Sequence, residues 1–192
     1  MKNGTRISVR DQLPKATISH FFSTESPFND PILNICLSLN MSVFSPSLSL
    51  NIFLADDDLD DCLIFKEVLE ELPLSFNLTT VHNGEQLMQL LDQKKDQLPD
   101  MLFLDLNMPL KSGFLCLSEI KRNEKLKQLP VIVYSTSFQQ DVVNQLYLNG
   151  AHHYISKPNQ FSLLKKIIHE AIITTAKEGF LQPGKSEFLL SP

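Results

Sequence analysis

Three carboxylates, a pair of hydroxyls and an ammonium in this chain have the types and the placement to handle a phosphoryl group. They are Asp56 and Asp57, Asp105, Ser135 with Thr136 beside it, and Lys157, and each set follows a short apolar run. Carboxylates crowded together repel, and raise one another's pKa unless a cation joins them. A hard divalent ion answers that need, since Mg2+ or Mn2+ is satisfied by one or two carboxylates plus water and phosphate oxygens. The hydroxyl and the ammonium are then donors for a group carrying several negative oxygens. In that setting Asp105 would attack phosphorus in line, while Lys157 neutralises charge on the equatorial oxygens.

Such chemistry needs elements that deliver these residues to one place. Met101 to Leu104 is an apolar run that reads as a strand buried on both faces, ending at Asp105, with Asn107 and Pro109 breaking the pattern. Ile52 to Ala55 runs likewise into Asp56-Asp57-Asp58, and Val131 to Tyr134, opened by Pro130, into Ser135-Thr136-Ser137. His153-Tyr154-Ile155 leads to Ser156-Lys157-Pro158, and Phe76 to Val81 has an alternating, β-rich character.

Between the strands lie helical spacings. Cys62, Phe65, Leu69 and Leu72 form one apolar face that Pro73 stops. A turn at Asn83-Gly84 precedes Leu87, Leu90 and Leu91, and Ser112-Gly113 precedes Phe114, Leu117 and Ile120. Val143, Leu146 and Tyr147 end at Asn149-Gly150, a C-cap signal, and Leu164, Ile167, Ile168 and Ala171 mark the last helix. Five strands alternating with five helices predict a parallel sheet with helices on both faces. All strand C-termini then share one edge, where open α/β sheets place ligands.

The first fifty residues differ: they hold nine serines and only seven charges, with Pro14, Pro27, Pro31 and Pro46, and no sustained period. Residues 1–49 read as a poorly ordered leader with a short helix near Ile32 to Leu39, and Met41 offers an alternative start. The regular pattern occupies residues 50–177, and residues 178–192, with Gly179, Pro183 and Gly184, read as a tail. A net charge of −5 argues against a nucleic-acid-binding face. Cys36, Cys62 and Cys116 have no metal-type spacing and suit a reducing compartment. No apolar run approaches the roughly 20 residues a membrane span needs, so a cytoplasmic protein is expected.

With these residues in view, the sequence resembles the receiver (response regulator) domains of two-component signalling. The matching motifs are Leu54-Ala55-Asp56-Asp57-Asp58, Leu104-Asp105-Leu106-Asn107-Met108-Pro109 with Gly113, Ser135-Thr136, and Lys157-Pro158. The resemblance implies a doubly wound, flavodoxin-like sheet of strand order 2-1-3-4-5. It also implies that Asp105 is the phosphoacceptor, with Asp57, Asp105 and the backbone carbonyl of Asn107 ligating Mg2+ and Asp56 acting largely through water. Ser135 and Tyr154 take the switch roles, Lys157 contacts the phosphoryl oxygens, and Lys157-Pro158 is a cis peptide. The donor is then a sensor histidine kinase or a phosphotransfer protein. The output is a protein contact through the fourth helix, fifth strand and fifth helix, with homodimer formation open to it. Nothing after residue 177 is long enough for an output domain, so a stand-alone receiver is expected, one that is no enzyme beyond catalysing its own phosphorylation and dephosphorylation. Asn107 and Ser137 would tune the latter by flanking the attacking water.

Blander and rival readings compete. Asp60 and Asp61 suit a solvated helix start. Asp56, Asp58, Asp60 and Glu67 fall at calcium-loop positions 1, 3, 5 and 12, but Asp61 stands where such a loop needs glycine. A haloacid-dehalogenase-type phosphatase needs a second Asp where Asn107 stands. A degenerate receiver, acting only as a binding module, would have lost the acids that are present here. His82, His152 and His153 read as structural or solvent-facing.

Overall fold

Strands covered by helices on both sides must be apolar along their length, and the central strands meet that demand. In the computed structural model, β3 (Met101–Leu104) and β4 (Val131–Ser135) are buried at every position, and β1 (Leu50–Ala55) at its last four. The structure describes residues 49–94, 97–136, 139–179 and 181–190. The leader, the helix expected near Ile32 to Leu39, and Ser137 lie outside the described residues. With β2 (Phe76–Val81), β5 (His153–Ser156) and β6 (Leu189–Leu190), the strands form one sheet of order β2-β1-β3-β4-β5-β6. Every pair in it is parallel.

The two faces are covered separately. Helices α1 (Leu59–Glu70) and α5 (Phe161–Glu178) pack Phe65, Val68, Leu69, Ile167 and Ile168 against Ile52, Leu54, Phe103 and Ile132. On the other face α2 (Gly84–Gln93), α3 (Gly113–Arg122) and α4 (Gln140–Leu148) pack Leu87, Leu91, Leu117, Ile120, Val143 and Leu146 against Phe53, Leu102, Leu104 and Val133. The doubly wound sheet expected from strand–helix alternation is therefore present. Side chains start the first three helices: Asp58 accepts from the amides of Asp60 and Asp61, Asn83 from Gln86, and Ser112 from Leu115. Asn83-Gly84 is thus a helix start rather than a free turn. Gly150 takes φ +86° after α4, the left-handed conformation that suits glycine at a helix end.

The tail departs from expectation. Residues 185–188 form a single helical turn, α6, and β6 pairs with β5, so the sheet has a sixth strand. Its cause is the partner: β5 would otherwise leave an open row of backbone groups at the sheet edge. Phe188 and Leu190 are buried there. No helix among the described residues is long and apolar enough to cross a membrane.

Candidate functional site

Backbone pairing continues just past the strand ends and fixes where the polar residues emerge. The amide of Asp56 donates to Val81, that of Asp105 to Ala55, and that of Lys157 to Ser135, at 2.9–3.0 Å. Each carboxylate then folds back on its own loop: Asp56 Oδ1 accepts from the Asp58 amide at 3.1 Å and Asp105 Oδ2 from the Asn107 amide at 2.8 Å. Gly113 lies so near that a Cβ there would fall 1.9 Å from the Asp105 carbonyl oxygen. Only glycine lets the start of α3 approach the Asp105 loop this closely.

The result is a compact acidic group. One carboxylate oxygen from each of Asp56, Asp57 and Asp105 lies within 4.8 Å of the others. Asp56 and Asp105 are buried and Asp57 is exposed. Lys157 reaches in from β5, its side chain 8% exposed, with Nζ 2.6 Å from Asp56 Oδ2, 2.7 Å from Asp61 Oδ2 and 3.9 Å from Asp105 Oδ1. The ammonium also stands 4.5 Å from the centre of the Tyr134 ring, a cation–π contact. Below it Phe65, Phe103 and Tyr134 pack edge to face.

The electrostatics follow from burial. Desolvation pushes the Asp56 carboxyl above its usual range, and the hydrogen bond and charge of Lys157 only partly offset it. Desolvation acts downward on Lys157, yet its hydrogen bonds to Asp56 and Asp61, with the charges of Asp56 and Asp105, hold it above the ordinary lysine value. Three carboxylates thus face one ammonium, with Asp57 beside two of them, and the deficit of positive charge is what a divalent cation would fill. The donor set is carboxylate oxygen, which suits Mg2+ or Mn2+.

Ser135 and Tyr154 are both fully buried, on adjacent strands β4 and β5. Burial raises the Tyr154 phenol, and the Asp105 charge adds to it. The Lys157–Pro158 peptide, expected cis, is trans, and no cis bond occurs among the described residues. Trans is the form that X–Pro bonds favour by about 0.5–1 kcal/mol when nothing imposes the other.

Asp61, expected to be a solvated helix-start acid, instead contacts Lys157. It accompanies α1 over the site and meets a lysine 96 residues further on, a pairing that no local spacing signals. Asp58 is the N-cap of α1 and Glu67 lies well inside that helix, so the calcium-loop spacing of Asp56, Asp58, Asp60 and Glu67 never forms a loop. The histidines are tied to backbone. His82 Nδ1 lies 3.1 Å from the Asp56 carbonyl, His152 Nδ1 accepts from the Val131 amide, and His153 Nδ1 lies 3.2 Å from the Glu187 carbonyl.

Comparison with known proteins agrees with this geometry. The family described as the response regulator receiver domain matches residues 52–169. The probable methanogenesis regulatory protein FilR2 of Methanothrix harundinacea (strain 6Ac) is 30% identical over 122 residues, which are 62% of this chain and 79% of that protein. Response regulator Rcp1 of Synechocystis sp. (strain ATCC 27184 / PCC 6803 / Kazusa) is 32% identical over 121 residues, 61% of this chain and 82% of that one. Among solved structures, the phosphorylated cyanobacterial phytochrome response regulator RcpA superposes with a TM-score of 0.62 at 31% identity, covering 71% of this chain and all of that one. The Mn2+-bound form of Rcp1 gives 0.60 at 30% identity, covering 70% and 99%. Span, topology and the acidic edge agree: the chain belongs to the response regulator receiver domain family of two-component signalling.

Proposed function

We propose that this chain takes a phosphoryl group onto Asp105 from a histidine kinase or a phosphotransfer protein, in a reaction that needs Mg2+ or Mn2+. The observation that carries this reading is the convergence of Asp56, Asp57, Asp105 and Lys157 at one sheet edge. Asp56, Asp57 and Asp105, with the Asn107 carbonyl, would hold the ion, whose charge would screen the acids and the incoming phosphate. Asp105 is already oriented by the Asn107 amide, so one oxygen is held while the other faces the site. Lys157 neutralises charge on the phosphoryl oxygens, for which it must give up part of its hold on Asp56 and Asp61. Ser135 supplies a hydroxyl to the same group, and Tyr154 follows it in packing. The face formed by α4, β5 and α5 would carry the signal to a protein target, as a two-state packing element biased by local charge.

Incubation with acetyl phosphate, with and without Mg2+, followed by intact mass, tests the reading. The expected result is a Mg2+-dependent gain of one phosphoryl group that Asp105→Asn abolishes. Retained acid-labile phosphate in Asp105→Asn would remove Asp105 from the role. No gain under either condition would favour a receiver that works only as a protein-binding module.

A further inference from the structure

Residues 181–190 take no part in the chemistry above, yet they are fastened along the face that the proposed signal would alter. Gln182 Nε2 donates to the carbonyls of Tyr147 and Ala151, both at 2.7 Å. The Tyr147 hydroxyl donates to the Pro183 carbonyl at 3.4 Å. Phe188, 2% exposed, sets its ring edge-on to Tyr147 with centroids 5.2 Å apart. Beyond it Leu189 pairs with Tyr154 and Leu190 with Ile155.

These contacts use what an extended peptide offers in general: backbone for an open strand edge, an aromatic ring for a shelf, and an aliphatic side chain for a slot. That is recognition by strand addition. The hold is made of small parts, one helical turn and a two-residue strand, elements of the kind that open first. The anchoring strand is also the one that delivers the site lysine. Leu190 pairs with Ile155, two residues before Lys157, whose amide is bonded to Ser135. Movement of Ser135 and Lys157 toward a phosphoryl group therefore acts on the same strand that holds the segment.

We infer that the outer edge of β5, with the Tyr147 shelf of α4, is a strand-accepting docking surface filled in cis by residues 181–190, and that a phosphoryl group on Asp105 loosens them. The release rests on Asp105 being the phosphoacceptor; the surface does not. A partner suited to this surface is an extended segment that places an aromatic side chain on Tyr147 and a leucine two residues later. Coupling of this kind is reciprocal, so weakening the segment's hold must favour the phosphorylated form.

The test uses the full chain. Amide exchange of the peptide covering residues 185–190 is followed with and without acetyl phosphate and Mg2+, with intact mass read in parallel. Exchange about tenfold faster in protein that carries the phosphoryl group is expected, and unchanged or slower exchange in such protein overturns the release. In a second arm, a labelled peptide of residues 181–192 is titrated into full-length Phe188→Ala and Leu190→Asp. Saturable binding about tenfold tighter than to the unsubstituted chain, lost when the peptide's own Phe is replaced by Ala, is expected. Equal binding to all three chains, or none, overturns the surface. Failure to gain the phosphoryl mass fells the phosphoacceptor reading and the release together, while the peptide arm still decides the surface.

Discussion

Two lysines, one near each end of the sheet, put the same ammonium to opposite uses. Lys157, at the carboxyl edge, faces formal charges, Asp56 and Asp61 at contact and Asp105 just beyond. Lys121, at the end of α3, faces dipoles instead. Its Nζ donates to the carbonyls of Leu129 at 2.6 Å and Lys127 at 3.2 Å, on the wall of a hollow of about 420 Å³ that Arg122, Leu148 and Gln182 also line. Carbonyl dipoles replace only part of an ammonium's hydration, so burial pushes Lys121 down to about 8, whereas the carboxylates hold Lys157 up. A cation among dipoles closes a loop. A cation among surplus charges is free to trade partners, and that is what a reaction site needs.

The sharpest way to break this contrast is to remove each lysine in turn. Lys157→Met should slow phosphorylation by acetyl phosphate on the order of 10²–10³-fold, the usual loss when one charge-stabilising donor is deleted. A loss below about tenfold, read by the rate of mass gain, would put Lys157 outside the site. Lys121→Met should instead leave that rate unchanged and lower stability by about 1 kcal/mol, because a part-buried carbonyl, that of Leu129, and an exposed one, that of Lys127, lose their donor. Urea unfolding reads that difference directly.

The pH response should separate the two further. The folded pKa of Lys121 lies at about 8, below its ordinary 10.5, so between those values the unfolded chain binds more protons and stability rises with pH. Lys121 borders an open hollow, so solvent screening trims the effect to on the order of 1–2 kcal/mol from pH 8 to 10. That rise should be missing from the stability curve of Lys121→Met and so remain in the difference between the two chains, and a fall in its place would reverse the sign argued here. Lys157 contributes in the other sense, its support being complete below 10.5 and lost only as pH climbs through its raised value. The smallest effect belongs to Asp61. It is one-third exposed, so Asp61→Asn should cost under about 1 kcal/mol, and the cost should disappear in a Lys157→Met background.

The same contrast explains how much of the molecule was legible in the sequence. The convergence of Asp56, Asp57, Asp105 and Lys157 could be read because each follows an apolar run, and in a parallel sheet the ends of such runs converge. Five strands and five helices followed from short continuous apolar runs, the alternating segment at Phe76 to Val81, and the 3.6-residue spacing of the helical faces. Asp61 could not be read, because an acid in the first turn of a helix looks the same whether it faces water or a lysine 96 residues away. Lys121 hid for the same reason, as a lysine near a helix end is ordinarily solvated. Strand β6 escaped because two leucines make no pattern; what makes them a strand is the open edge of β5. The trans Lys157–Pro158 bond lay beyond a reading that rested on family resemblance alone.

One consequence concerns light. The chain has no tryptophan and three tyrosines, and these stand at three separate stations. Tyr134 lies beneath the Lys157 ammonium, Tyr154 is buried on β5, and Tyr147 shelves the Phe188 ring. Ultraviolet emission from the native protein is therefore tyrosine emission, undimmed by transfer to an indole. The proposed ion entry, strand rearrangement and departure of the docked segment would each fall beside a different fluorophore. Replacing one tyrosine at a time by phenylalanine would assign every component of the signal, so the unlabelled protein can report the order of its own events.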